Sequence, residues 1–344
     1  MARTVTATAP VRVCDLGGWT DTWFARHGLV VNVAVTPGAT ARVTRHPRGS
    51  RPAPVTIDAP DLAGGPDELL WAVVEHVGAS ATGAITPTGA TTATADDLEI
   101  VVSGGVPPGA AMGTSAAVTV ALLAALHAPA AVAPGDLAAQ AHAVEVAQLG
   151  REGGVQDQVA AAHGGVNRID IDAYPSTRVT PLPVPPGLTE GLHTVYLGAP
   201  HASSAMHTQV IDATAAVGPA AAPLERLRRA AAAGCDALAA GDLAAFGRAM
   251  VANTDAQADL APGIVNDDAL AVIELARGHG ALGWKVNGAG GPGGTVTVLL
   301  AGDGLRAGDG DAFDAAVQAT GYRVLPVTLS RRGVTVTGAF TPSG

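Results

Sequence analysis

The chain has 344 residues, enough for a large core and more than most single domains hold, so two domains are expected. Its formal charge of -10, from 20 basic and 30 acidic residues, lacks the basic excess with which a phosphate-backbone binder releases counterions, and this argues against nucleic acid as a partner. The two cysteines, Cys14 and Cys235, stand far apart with no CxxC spacing and no histidine cluster nearby, which gives neither a disulfide framework nor a zinc site.

At the start, Met1-Ala2-Arg3-Thr4-Val5 lacks the long apolar run of a signal peptide, and a cytoplasmic setting is expected. Val5 to Cys14 and Val30 to Val35 group β-formers as half-buried strands do, and Gly17-Gly18 between them marks a sharp turn. Residues 44–65, rich in Pro, Arg and Gly, read as a hairpin or surface loop, and Pro66 to Val77 as a helix leading into the polar stretch 80–96. Leu98 to Ser103 is the next strand, followed by a loop and a helix over Thr114 to His127. Ala116 to Ala133 is apolar enough to test as a membrane span, but it is mainly alanine and is broken by Thr119, His127 and Pro129, so a buried helix is the reading and no membrane partner is expected. Asp136 to Gln148 predicts a helix and Val166 to Ile171 a strand; Pro181 to Pro186 is the candidate boundary, dividing the chain into 1–186 and 187–344. The second half reads as a strand at Leu192–Leu197, helices near 223–238, 242–253 and 267–279, and strands at Thr295–Leu300 and Val324–Val327, an α+β layer.

Three glycine-rich segments carry the chemistry. In Pro107-Pro108-Gly109-Ala110-Ala111-Met112-Gly113-Thr114-Ser115, small residues let backbone approach an anion, and the helix N-terminus that follows offers free N–H groups and a positive dipole end. This is a phosphate cradle over Pro108, Gly109, Ala110, Ala111, Met112, Gly113, Thr114 and Ser115, without the G-K-[ST] of a Walker loop. Standing alone, the same loop is also a tight turn with a Ser/Thr cap at Thr114 or Ser115. Lys285-Val286-Asn287-Gly288-Ala289-Gly290-Gly291-Pro292-Gly293-Gly294 before a strand is a second turn able to press backbone against a ligand, and it contains the only lysine of the chain. Ala9 to Asp21, through Arg12 and Gly17-Gly18-Trp19-Thr20, is the third.

In this order the three segments resemble the motifs of the GHMP kinases, from Arg12 to Gly294. Gly17-Gly18-Trp19-Thr20-Asp21-Thr22, His27-Gly28, Asn32 and Gly153-Gly154-Val155-Gln156-Asp157-Gln158 look like the fucokinase and D-glycero-D-manno-heptose 7-phosphate kinase branch. The resemblance implies an α+β GHMP kinase fold, a ribosomal S5 domain 2-like N-terminal domain plus a ferredoxin-like C-terminal domain. It implies ATP with Mg2+, the cation on Ser115 and Glu145, which are hard oxygen ligands. Asp157 is implied as the catalytic base, kept ionised by Arg12. Gly18, Trp19, Thr20, Asp21, His27, Gly154, Gly288 and Gly290 are implied at the substrate; His201 and His207 are further candidates at the sugar or phosphate site, and Lys285 reads either as a point charge on phosphate or as a solvent-facing lysine. Galactokinase carries a Glu-His pair where Gly18-Trp19 stands here, so a sugar other than D-galactose is expected. The implied reaction is phosphorylation of a sugar at an anomeric hydroxyl, on a fucose-, arabinose-, uronate- or heptose-phosphate-like substrate, by a monomer or homodimer. A mevalonate- or homoserine-type kinase and a catalytically silent nucleotide- and sugar-binding regulator are the alternatives.

Overall fold

The computed structural model describes residues 2–62, 68–81, 96–198, 203–215, 217–301 and 309–338. The polar stretch 80–96 and His201 fall largely or wholly outside the described residues.

The strands are β1 (Arg3–Leu16), β2 (Gly28–His46), β3 (Val55–Asp58), β4 (Asp97–Ser103), β5 (Val166–Ala173), β6 (Ser176–Leu182), β7 (Leu192–Tyr196), β8 (Gly283–Val286), β9 (Thr295–Leu299), β10 (Arg323–Leu325), β11 (Thr328–Leu329) and β12 (Thr335–Thr337). The helices are α1 (Glu68–Ala81), α2 (Thr114–His127), α3 (Pro134–His142), α4 (Gln156–His163), α5 (Leu188–Gly191), α6 (Ser203–Ala215), α7 (Ala222–Ala240), α8 (Leu243–Ala258), α9 (Asp267–Gly278) and α10 (Asp309–Ala319). α3 runs directly into a π turn, Ala143–Gln148.

One sheet has the path β12-β1-β2-β4-β3, with β5 and β11 also pairing β2 and with β6 on β5; only β3 with β4 is parallel. The second sheet is antiparallel in the order β10-β7-β9-β8. Counted within this unit, that order is 4-1-3-2, the ferredoxin-like arrangement. β11 and β12 then return to the first sheet, a return that a cut at 186/187 does not describe.

Sequence explains much of this locally. Val5, Ala7 and Ala9 alternate inward along β1, as the two-residue period of a strand requires, and from Ala9 onward both faces are buried. The second cover comes from α7 and α8, which pack on each other, on β1 and, through α8, on β8. Asp242 caps α8 by accepting from Ala245 N–H at 2.8 Å, and Asn266 caps α9 by accepting from Ala269 N–H at 2.9 Å. α2 is buried continuously from Ala116 to Leu126 among β1, β2, α1, α3 and α4, which is why it is apolar on every side. No helix among the described residues is long and apolar enough to cross a membrane.

β2 is longer than its β-former cluster: it continues through Pro37-Gly38 to His46, so the segment read as loop from residue 44 begins inside a strand. Toward its end β1 slips register between Val13 and Leu16, where Cys14 takes φ 53°. The bulge re-aims the next side chain, Asp15, out of the sheet's alternation. Both cysteines are buried free thiols.

Candidate active site

The three glycine-rich segments converge on one cavity of about 730 Å³. The middle segment links β4 to α2 with Gly109, Ala111 and Gly113 all at positive φ, a conformation Ala111 adopts against its own Cβ at φ 56°. Neighbours hold this turn from both sides. Arg12 N–H donates to Met112 O at 2.9 Å, Arg12 Nη1 to Ala111 O, and Thr295 Oγ1 to Ala110 O at 2.8 Å. Gly113 is the N-cap of α2 and makes no side-chain cap bond, so the first turn keeps its orphan N–H donors where Gly113, Thr114 and Ser115 line the cavity. Neither Thr114 nor Ser115 serves as the cap.

Arg12 and Asp157 form a bidentate pair, Nε to Oδ1 at 2.8 Å and Nη2 to Oδ2 at 3.2 Å. The arginine side chain is 4% exposed and the aspartate 28%, so the guanidinium is sealed behind a carboxylate that opens to the cavity. Burial lowers the guanidinium pKa, but the carboxylates of Asp157, Asp15 and Asp21 outweigh it and hold the value above the ordinary one.

Asp21 is buried and accepts from Val155 N–H at 2.9 Å and Gln156 N–H at 3.1 Å, both on the same oxygen, Oδ2. Desolvation raises its pKa to about 6, against the lowering effect of the Gln156 bond and with a further push from Asp157 and Asp15. Beside it Trp19, at φ 74°, packs edge-on to His207 with ring centroids 4.9 Å apart and belongs to a buried cluster with Met206, Val210 and Ile264. The indole therefore both packs and lines the cavity; its buried Nε1 has no hydrogen-bond partner.

Glu145 sits in the π turn, which turns its carboxylate toward the start of α2. Ser115 Oγ donates to Glu145 Oε2 at 2.6 Å and Gln158 Nε2 to Oε1 at 3.1 Å. Desolvation, helped by Asp157, raises the Glu145 pKa above the usual carboxylate range despite those bonds. Among the described residues no group of three or more His, Cys, Asp or Glu is arranged to hold a metal ion. Ser115 with Glu145 is a two-ligand set of hard oxygens, of the size magnesium takes beside phosphate and water.

Of the residues expected at the site, Arg12, Trp19, Asp21, Gly109 to Ser115, Glu145, Gly154, Asp157 and Gly288 line the cavity. Several do not. Pro108 lies on the outer side, its carbonyl accepting from Tyr196 Oη at 3.5 Å. Gly18 points its α-hydrogen side at Asp15 and Gln156, where a Cβ would stand 2.9 Å from Asp15 Oδ2. Thr20 is buried and spends its hydroxyl on Gly17 O at 2.7 Å. His27 is exposed, with its carbonyl accepting from Arg228 and its N–H donating to Ala25 O, while Gly290 packs on Ile264. Lys285, read as a phosphate partner or a solvent-facing charge, is neither: it is 1% exposed and stands 3.4 Å from Asp15 Oδ1.

The structure adds Asp15, Thr22, Glu152, Gln156 and Gln158 to the lining. Gln156 and Gln158 lay inside a segment already singled out; Asp15 had no signal beyond its place between Arg12 and Asp21.

Comparison with known proteins gives a family. Residues 69–165 match the family model for the GHMP kinases N terminal domain and residues 236–317 that for GHMP kinases C terminal. Among solved structures the chain is similar to a D-glycero-D-manno-heptose 1-phosphate kinase from Bacteriodes thetaiotaomicron, at TM-score 0.73 and 19% identity over 98% of this chain and 100% of that one. It is similar to Lactococcus lactis galactokinase complexed with galactose at TM-score 0.66 and 18% identity, over 96% and 95%. It is also similar to L. major mevalonate kinase in complex with R-mevalonate at TM-score 0.68 and 16% identity, over 95% and 96%. At these identities the likeness establishes the fold. A search of curated protein sequences finds no significant match.

Proposed function

The chain belongs to the GHMP kinases, phosphotransferases acting on small-molecule hydroxyl groups, and from that premise we propose that it phosphorylates a sugar hydroxyl with ATP and Mg2+. The observation that carries this reading is the placement of the Asp157–Arg12 pair in one cavity with the N-terminus of α2 and with Asp21. ATP supplies the phosphoryl group, and Mg2+ supplies positive charge on its phosphates.

The chain's own residues do the rest. Backbone N–H groups at Gly113, Thr114 and Ser115 bind phosphate oxygens at a helix terminus whose dipole favours anions. Ser115 Oγ and Glu145 hold the cation, a hydroxyl and a carboxylate already 2.6 Å apart. Asp21 accepts from ring hydroxyls through the oxygen its two backbone bonds leave open. Asp157 orients the acceptor hydroxyl and takes its proton at a carboxylate oxygen as the new oxygen–phosphorus bond forms and the bond from the γ-phosphorus to the bridging oxygen breaks, releasing ADP, while Arg12 keeps that carboxylate ionised and in place.

The acceptor we propose is an anomeric hydroxyl of a fucose-, arabinose-, uronate- or heptose-phosphate-like sugar. The heptose phosphate kinase and galactokinase neighbours support a sugar, and so does Trp19, whose flat apolar ring beside Asp21 suits a sugar face. A coupled ADP-release screen over free sugars, uronates and sugar phosphates, with mevalonate and homoserine as further arms and NMR of the product, tests it. Sugar-dependent ADP release with phosphate at C1 is expected. Turnover of mevalonate or homoserine alone overturns the sugar, and nucleotide binding with no turnover of any acceptor overturns the kinase.

A further inference from the structure

The chain's only lysine is one of its most buried side chains. Lys285 Nζ donates to Gln257 Oε1 at 2.9 Å and to the Val286 carbonyl, and it stands 3.4 Å from Asp15 Oδ1; Lys285 and Asp15 are each 1% exposed. Asp15 in turn accepts from Gly288 N–H at 3.1 Å on both oxygens, and the Gly288 carbonyl accepts from Gln257 Nε2 at 2.9 Å. Lys285, Gln257, Gly288 and Asp15 thus close a ring that joins the β1 bulge to the turn after β8.

This ring ends on the catalytic pair. Gly288 presses against Arg12: a Cβ there would meet Ala111 O at 2.9 Å and Arg12 Nη2 at 3.3 Å. On its other side Asp15 accepts from Gln156 Nε2 at 3.3 Å, and Gln156 N–H donates to Asp21. Four charges alternate through the buried region, Lys285, Asp15, Arg12 and Asp157. Cohesion alone does not require them, because apolar residues of equal volume hold two buried surfaces together as well as an ion pair or better. Burial pushes the Lys285 ammonium pKa down, with Asp15 opposing the change.

We propose that Asp15 and Lys285 are positioning residues, which fix Gly288 against the Arg12 guanidinium and so set the angle at which Arg12 presents Asp157 to the acceptor hydroxyl. The proposal rests on the role given to Asp157 above. Small misplacements of a reacting group cost large factors in rate while leaving remote binding intact.

The test uses Asp15→Asn, Lys285→Met and the double variant, assayed well below each melting temperature with the best sugar from the screen, and crystallised without substrate. Each single variant is expected to lower kcat about tenfold with KM for ATP unchanged, and the double to fall no further than the worse single, since the two act as a unit. The crystals are expected to show Arg12 parted from at least one Asp157 oxygen. Where a single variant fails to fold, the double, which leaves no unpaired buried charge, carries the test. Unchanged kcat in folded variants, or an intact bidentate Arg12–Asp157 pair, overturns the proposal. If Asp157→Asn itself leaves kcat unaltered, the role of Asp157 falls, and the crystal geometry alone still decides whether Asp15 and Lys285 hold Arg12.

Discussion

The Cα of Gly154 lies against the carboxylate of Asp21, so close that a β-carbon on it would stand 1.9 Å from Oδ2. Any side chain at residue 154 therefore displaces the acid from the two N–H groups that hold it. Gly154→Ala is expected to raise KM for the sugar by at least tenfold, with nucleotide affinity kept, as fits the loss of a charged hydrogen-bond acceptor. Steady-state kinetics beside a nucleotide titration check it; unchanged sugar KM removes Asp21 from the substrate.

Asp157→Asn is expected to lower kcat by roughly 10²–10⁴-fold, the scale of a general base, while ATP still binds. The asparagine keeps the shape and one acceptor for Arg12, so folding is retained. Comparable turnover under saturating sugar leaves Asp157 with orientation alone.

Ser115→Ala and Glu145→Gln each weaken a hard oxygen ligand, and each is expected to raise the magnesium concentration for half-maximal activity. Glu145→Gln also removes the carboxylate that accepts from both Ser115 and Gln158. Magnesium titrations that overlay the parent curve place the cation elsewhere.

Burial holds the Asp21 pKa near 6, above the ordinary 3.8. A raised folded-state pKa means that this group favours folding below its ordinary range and that the benefit is lost as pH rises through 6. Sugar binding has the opposite sign, because the ionised oxygen is the hydroxyl acceptor. KM for the sugar is therefore expected to climb about tenfold per pH unit below 6, with no such inflection in Asp21→Asn. A pH series of KM for both proteins is the measurement.

Much of the site was legible because its parts are local. The turn from Gly109 to Gly113 and the helix it starts announce themselves through small residues and an apolar run, and α2 occupies the expected Thr114–His127. Glu145 and Asp157 came from the motif resemblance, and the structure places both on the cavity. Asp15 and Lys285 were not legible as a pair, since 270 positions separate them and the β1 bulge that turns Asp15 inward depends on Cys14 adopting positive φ. Gly18 misled for a related reason. Its neighbour Gly17 carries the positive φ, and Gly18 backs onto Asp15, so a glutamate there meets a buried carboxylate before any sugar. The strands β11 and β12 are two and three residues long, too short to leave a periodicity.

Their return to the first sheet has a mechanical meaning. The chain leaves that sheet once, after Leu182, and re-enters it at Thr328, so the second sheet hangs from two chain crossings instead of trailing from one. Beyond those crossings α7 and α8 pack on β1, and Ala231, Cys235, Leu238, Phe246 and Met250 share one buried cluster with the strands of the first sheet. The glycine turn that faces Arg12 is therefore carried against the first sheet by a shared core as well as by the chain.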